Sequence, residues 1–417
     1  MLYKLSRYLL VLIGILTLAY SIPILYNTLF DKRINTPHIL YSALNDDFYI
    51  TRHDGKKVQN PVDTKGKEYT QSEIMEQCPM MYATSLHHSG LLPDSIDGVK
   101  IDIETWHDNF IMYGFLPQSL KRPADEYKLF PLFESSGKIT LPGDLCRINK
   151  RVEFVHTQSN KVNEEKSLLF TEAFKKEGFV FPAKMLAGNS SHRKSRVDGW
   201  FITDQKGDLF HLKMEKGKPL LKRIEIPEDF TIKYMQYYEA QNEKLYCFII
   251  TDDNRLNILY AKDYEIVELP IYDYIPEEHS IYIMGNMLFY MFQVNTENSI
   301  AAYAVDHDHN IMDSYYEEFK PKSEMLIGKA YHFIFPFTLK LTHPRTDLRY
   351  TNFVKFNFEG FKSLNWIYLN LILLASTFFL IRKRKLRMKN NIADLILVAT
   401  TGVFGFIAIH IFQNKEY

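Results

Sequence analysis

The 417-residue chain has only three cysteines, Cys78, Cys146 and Cys247, and no C-x-x-C pair. So few thiols exclude a disulfide scaffold, and the missing pair removes the common zinc and redox spacings. An odd count leaves at least one thiol unpaired: Cys78–Cys146 is an available bridge, and Cys247, inside apolar Leu245–Ile250, reads as a buried small hydrophobe. Excess charge is also missing, because 50 Lys and Arg balance 50 Asp and Glu. A neutral chain is poorly suited to a phosphate backbone, so nucleic acid is not an expected partner. There is no glycine-rich phosphate loop, no G-x-S-x-G and no H-E-x-x-H, so neither cofactor nor enzymatic chemistry is implied. Residues 31–362 contain no long apolar pattern of helical period.

Three long apolar runs are present. Tyr8 to Leu29 holds no charge and is long enough for a hydrocarbon core of about 30 Å. Its apolar character continues past the small-residue site Ala19-Tyr20-Ser21, so it reads as a retained anchor rather than a cleaved signal peptide. Leu364 to Ile381 opens with Trp366 and Tyr368, suited to a membrane interface, and Ile392 to Phe412 follows with Asp394 near its start, at headgroup level. Lys4 and Arg7 precede the first run without an acidic neighbour in the sequence. Arg382, Lys383, Arg384, Lys385, Arg387 and Lys389 separate the second and third. Cations concentrate on the cytoplasmic side of membrane proteins, so these eight residues are the topology determinants.

The expected organisation follows. Residues 1–30 are a cytoplasmic N-terminus and first transmembrane helix, 31–362 an extracytoplasmic domain, and 363–381 a second transmembrane helix. Residues 382–391 are a basic cytoplasmic loop, 392–412 a third transmembrane helix and 413–417 a short external tail. Residues 1–30 and 382–391 hold 8 basic and no acidic groups, while 31–362 hold 41 basic and 48 acidic. In the third run, Thr401-x-x-x-Gly405 permits close helix packing, expected against the second helix.

The outer region is rich in Tyr and Phe, which favour strands. Phe48-Tyr49-Ile50-Thr51, Phe154-Val155-His156-Thr157, Trp200-Phe201-Ile202-Thr203 and Phe248-Ile249-Ile250-Thr251 are each followed by polar turns. Their threonines lie 106, 46 and 48 residues apart, the first interval spanning about two periods. Met291–Val294 and Phe333–Phe337 continue the series. This period predicts a mainly β, propeller-like domain of six or seven blades, with a β-sandwich as the alternative. Thr64–Asn149 breaks the pattern as a divergent blade or inserted cap, with Glu73–His88 helical and interrupted at Pro79. Closure is expected from Phe48–Thr51 completing a blade made by Leu339–Phe358.

The metal candidates are His307 and His309 in Asp306-His307-Asp308-His309, which a strand would place on one face; a hairpin turn explains the same residues. His211, between Phe210 and Leu212, reads as a packed, hydrogen-bonded histidine. Asp94, Asp97, Asp102 and Glu104 read as a solvated loop.

Several stretches carry a resemblance: Pro93-Asp94-Ser95-Ile96-Asp97-Gly98, Leu132-Phe133-Glu134-Ser135, Gly178-Phe179-Val180-Phe181-Pro182 and Asp208-Leu209-Phe210-His211-Leu212-Lys213. With Glu153-Phe154 and Ala187-Gly188-Asn189, they make the chain resemble an uncharacterised bacterial family, a domain of unknown function whose members are often encoded beside ABC-transporter components. The resemblance implies a bacterial inner-membrane setting, with the lipid bilayer and an ABC permease or ATPase as partners. The expected function is a non-enzymatic accessory subunit of a transport complex. An external ligand-sensing module and an external hydrolase are the alternatives.

Overall fold

The computed structural model describes residues 2–30, 36–53, 57–117, 129–135, 139–239, 244–272, 274–320, 324–341, 354–358, 360–361 and 364–414. It divides into two compact units: residues 1–34 with 319–417, and residues 35–318. The expected outer domain, 31–362, therefore stops short at Glu318, and the segment after it belongs with the apolar helices.

The helical unit begins with α1 (Leu2–Phe30). Arg7, Val11, Ile15, Ala19 and Pro23 form its buried stripe at every fourth position, while Leu9, Leu12, Ile13, Leu16 and Leu25 stay exposed.

The β unit opens with a three-stranded sheet of β1 (His38–Ser42), β2 (Asp47–Thr51) and β3 (Val62–Asp63). An irregular stretch follows: α2 (Gln71–Gln77), α3 (Pro79–Ser89), the hairpin β4 (Ser95–Ile96) and β5 (Val99–Lys100), α4 (Ile103–Asn109) and β6 (Ile111–Phe115). Thr70 and Glu73 form a reciprocal cap at the start of α2, and Pro79 opens α3, where a missing N–H is harmless. The pair β7 (Asp144–Ile148) and β8 (Val152–His156) is covered by α5 (Glu164–Lys176). Here the helix substitutes for a third strand. Ser167 Oγ accepts from Phe154 N at 2.9 Å and Thr171 Oγ1 from Val152 N at 3.1 Å, so two buried amides of β8 are satisfied from positions one helical turn apart.

Three antiparallel meanders then follow in sequence. The first is β9 (Met185–Gly188), β10 (Trp200–Thr203), β11 (Leu209–Glu215) and β12 (Lys218–Ile224). The second is β13 (Ile232–Tyr237), β14 (Leu245–Thr251), β15 (Leu256–Tyr260) and β16 (Ile266–Glu268). The third is β17 (Ser280–Gly285), β18 (Tyr290–Asn295), β19 (Ser299–Val305) and β20 (Ile311–Glu318), with β6 added beside β17.

Side-chain alternation stacks these sheets face to face. Trp200 and Ile202 of β10 pack with Phe154, Phe170 and Phe174, whereas Phe201 packs with Cys247 and Ile249 of the next sheet. Phe248 and Ile250 turn the other way, onto Ile283, Phe292 and Val294 of the third. A bulge between Leu245 and Cys247 changes the parity of β14, so Leu245 shares the face of Phe248. The far face of β18 carries Gln293, whose Oε1 accepts from Ile39 N of β1 at 3.4 Å. The chain is thus mainly β, with several antiparallel sheets.

The repeated segments that form strands lie in β2, β8, β10, β14 and β18, the second strand of the first sheet, of the β7–β8 pair and of each meander. Two expectations are corrected. Phe333 lies in a helix, α6 (Leu326–Ile334), because a short apolar run does not by itself distinguish strand from helix. Among the described residues Phe48–Thr51 pairs with β1 and β3 on its two sides, and β21 (Thr338–Leu341) pairs with β22 (Val354–Asn357), so Phe48–Thr51 is the middle of its own sheet and not itself the strand expected beside Leu339–Phe358.

The helical unit continues with α7 (Trp366–Lys383), α8 (Ile392–Thr401) and α9 (Val403–Ile411). Leu5–Phe30 and Trp366–Lys383 are long and apolar enough to cross a membrane. The third apolar run is different from the single helix expected. Gly402, at φ 60° and ψ −131°, ends α8 and turns the chain back. The conformation is open to glycine and strained for other residues. A side chain on Gly405 would meet Thr401 Oγ1 and, at 2.8 Å, Leu397 O, so the small residue lets the two helices of one hairpin approach. The nearest neighbours of Gly405 therefore lie within the third run, on α8.

Candidate functional site

The two units hold separate concentrations of buried polar groups. In the β unit, the loop from Asn189 to Gly199 leads into β10 and places Asp198 beside the ends of β11 and β13. Asp198 Oδ2 accepts from Tyr237 Oη at 2.7 Å, and Arg196 Nε donates to both carboxylate oxygens at 3.0 and 2.9 Å. The Asp198 carbonyl accepts from His211 Nε2, so Nδ1 is left to accept from Tyr264 Oη at 2.9 Å. His211 also stacks on Phe201, with ring centroids 4.2 Å apart. Burial pushes its pKa down to about 3, leaving a neutral imidazole. Burial, followed by the hydrogen bond to Asp198, pushes the Tyr237 phenol well above its ordinary range.

The outer part of this network is built on Glu239. It accepts from Asn189 Nδ2 at 2.5 Å, Ser195 N at 2.9 Å and Ser195 Oγ at 2.7 Å. Burial works against its charge, but the Ser195 and Asn189 bonds hold its carboxyl below the usual range. Lys194 donates to Asn189 O at 2.8 Å and lies 3.9 Å from the Phe133 ring centre; burial pushes its pKa down to about 8. The network ties the 189–198 loop to β11 and β13. Its chemistry is that of a latch: the carboxylates of Asp198 and Glu239 and both ring nitrogens of His211 find partners within the fold.

In the helical unit, Arg7 of α1 meets Asp394 of α8 in a two-pronged pair, Nη1–Oδ1 at 2.9 Å and Nη2–Oδ2 at 2.7 Å. Arg7 Nε also donates to Phe412 O at 2.8 Å, after α9. The planar guanidinium thus joins both ends of the hairpin to α1. Arg7 is 5% and Asp394 4% exposed. Arg7 thus finds an acidic partner that is not a neighbour in the sequence, and Asp394 is buried within the helical unit. The sequence hid this pair because its members stand 387 residues apart. An adjacent cleft of about 30 Å³ is lined by Asp394, Asn391, His410, Thr377, Ile381 and Arg384, room for roughly a water or two.

The remaining candidates are dispersed. His307 Nε2 donates to Asn286 O at 3.0 Å, while His309, at φ 68° in the turn after β19, bonds Tyr260 Oη through Nε2 at 2.9 Å. They do not converge, and the described residues contain no group of three or more metal-ligating side chains. Asp102 caps α4 by accepting from Thr105 N at 2.8 Å, and Asp97 occupies a left-handed turn. Cys78, Cys146 and Cys247 are all free and buried, so the Cys78–Cys146 bridge is not formed, and burial pushes all three thiols upward. Arg382, Lys383, Arg384, Lys385, Arg387 and Lys389 are all exposed, whereas the Lys4 side chain lies outside the described residues.

The fold and these sites define a mainly β chain carrying apolar helices of membrane-spanning length. Residues 38–305 match the family described as a domain of unknown function, DUF4857, and the chain belongs to that family. No curated protein matches it. Among solved structures, the dihydro-heme d1 dehydrogenase NirN in complex with DHE is 10% identical, with 63% of this chain and 77% of that one covered and a TM-score of 0.18. A putative exported protein from Bacteroides fragilis NCTC 9343 is 8% identical, with 52% and 82% covered and a TM-score of 0.13.

Proposed function

We propose that this protein is a membrane-anchored, non-enzymatic subunit of a bacterial transport complex of the ABC type, with its β unit outside the cytoplasmic membrane. The observation that carries the reading is the construction of the helical unit. Its apolar side chains face outward on α1 and α7, while its charged pair, Arg7–Asp394, is turned inward and fully matched. This is the arrangement a hydrocarbon solvent demands. The six cations after α7 favour the cytoplasmic side for that loop. In the β unit, the histidines singled out above are engaged in bonds that hold strands and turns together, which supports a binding role over a catalytic one.

The finer fold we propose for the β unit is a propeller. Its three complete meanders begin at Met185, Ile232 and Ser280, intervals of 47 and 48 residues.

The test is extraction of the full chain in mild detergent followed by affinity purification. A polytopic membrane subunit and an ATPase should be recovered with it in fixed ratio. Recovery of the chain alone, from membranes in which it is abundant, would refute the assignment.

A further inference from the structure

We infer that residues 392–412 form a re-entrant hairpin docked on a retained α1, so that the N-terminal residues, the basic loop and the residues after α9 share one membrane face. The inference rests on the membrane reading above and replaces the third crossing with an excursion that returns.

Length is the first argument. Helices α8 and α9 contain 10 and 9 residues, about 15 Å each, half of a hydrocarbon core. The second argument is that the hairpin's ends meet. Asn414 Nδ2 donates to Asn390 O at 3.1 Å and to Asn391 Oδ1 at 3.2 Å, and Arg7 holds both Asp394 and Phe412 O. A single crossing would separate those residues by the thickness of the membrane.

The third argument is the tip. Ending α8 at Thr401 frees backbone carbonyls that lipid cannot hydrate. Asn370 of α7 donates to Ala399 O at 2.7 Å. Gly402 N donates to Val398 O at 2.9 Å, and the hydroxyls of Thr400 and Thr401 satisfy themselves by donating back to Ile396 O at 2.9 Å and Leu397 O at 2.6 Å inside the helix. Asn370 lies 11 residues before Ile381, which lines the cleft beside the hairpin's base; along α7 this is about 16 Å, matching the length of one arm. Two of the freed carbonyls, Val398 O and Ala399 O, and both threonine hydroxyls are therefore matched from within the helical unit, at a depth where water is scarce.

Retention of α1 follows from the same contacts. Arg7, Val11 and Ile15 precede Ala19-Tyr20-Ser21. Cleavage there would strip the partners from Asp394 and from the face of α9, where Gly14 approaches Ala408 closely enough that an added Cβ would lie 3.5 Å from it. A buried carboxylate without its counter-charge is strongly disfavoured.

The experiment uses the full chain with single substitutions Gln413→Cys, Arg387→Cys and Asp308→Cys, labelled by a membrane-impermeant maleimide before and after permeabilisation. The three native thiols are buried and provide a low background. Gln413→Cys and Arg387→Cys should be labelled only after permeabilisation, and Asp308→Cys before it. Labelling of Gln413→Cys with Arg387→Cys protected overturns the hairpin while leaving the membrane reading intact. Identical behaviour of all three sites, or release of the chain by alkaline carbonate, overturns the membrane reading itself. Intact mass of the purified chain should include residues 1–21; a mature start just after Ser21 overturns retention.

Discussion

Arg7 and His211 show how much of a buried polar side chain's setting lies in partners distant along the chain. Arg7 has the charge and position of a topology signal, but its guanidinium is spent on Asp394 and the Phe412 carbonyl. Removing one member of a buried pair leaves the other uncompensated, at about 3–5 kcal/mol. Arg7→Gln and Asp394→Asn should each lower the melting temperature of the detergent-solubilised chain, and the double variant should lose less than the sum. Strict additivity would show that the two residues do not interact. His211 makes a prediction about pH. Its folded pKa, about 3, lies below the ordinary 6.5, so the unfolded chain takes up a proton first. Its contribution is fully present above about pH 6.5 and is lost as pH falls toward 3, by up to about 1.4 kcal/mol per unit. His211→Gln should flatten that slope in urea unfolding measured between pH 7.5 and 5. An unchanged slope would mean the imidazole is already accessible to protons in the fold.

At the scale of elements, the repeat in the sequence marks, in each of the three meanders, the strand buried on both faces. Residues of β10, β14 and β18 pack into sheets on either side, so their runs are mostly apolar and carry large aromatics, with Gln293 of β18 bonded to β1. The third apolar run was misread because hydropathy records composition and is blind to direction. Only Thr400-Thr401-Gly402 betrays the reversal. Gly402→Ala strains a left-handed position, and Asn370→Ala removes the bond to Ala399 O. Each should weaken the hairpin by about 1–3 kcal/mol. Amide hydrogen exchange should quicken at residues 395–408 while the strands of the β unit stay protected. Quickening spread evenly over the whole chain would argue against a separate hairpin.

For the whole molecule, the division at Glu318 carries a prediction of its own. The three hydrophobic clusters of the β unit draw all their residues from within 35–318. A fragment of residues 36–318 should therefore be soluble and unfold in one cooperative transition, followed by circular dichroism. A molten fragment, lacking near-ultraviolet signal, would show that the helical unit completes its core. The family match, 38–305, lies inside this unit. The shared part is thus the β architecture, with the helical unit outside the matched range. The neutral total charge also has a structural reading: the Arg7–Asp394 pair cancels internally, while the six cations after α7 stay exposed.

The sequence by itself determined what depends on local pattern: apolar runs of spanning length, the basic loop, and a strand repeat of about 47 residues, because periodicity and composition are properties of neighbours along the chain. Tertiary structure alone decided what depends on partners far apart. Asp394 finds Arg7 across 387 residues, His211 finds the Asp198 carbonyl and Tyr264, and Asn370 finds a carbonyl that exists only because the helix beside it stops. Buried polar groups must be satisfied by whatever the fold brings near, and no count along the chain reveals which group that will be.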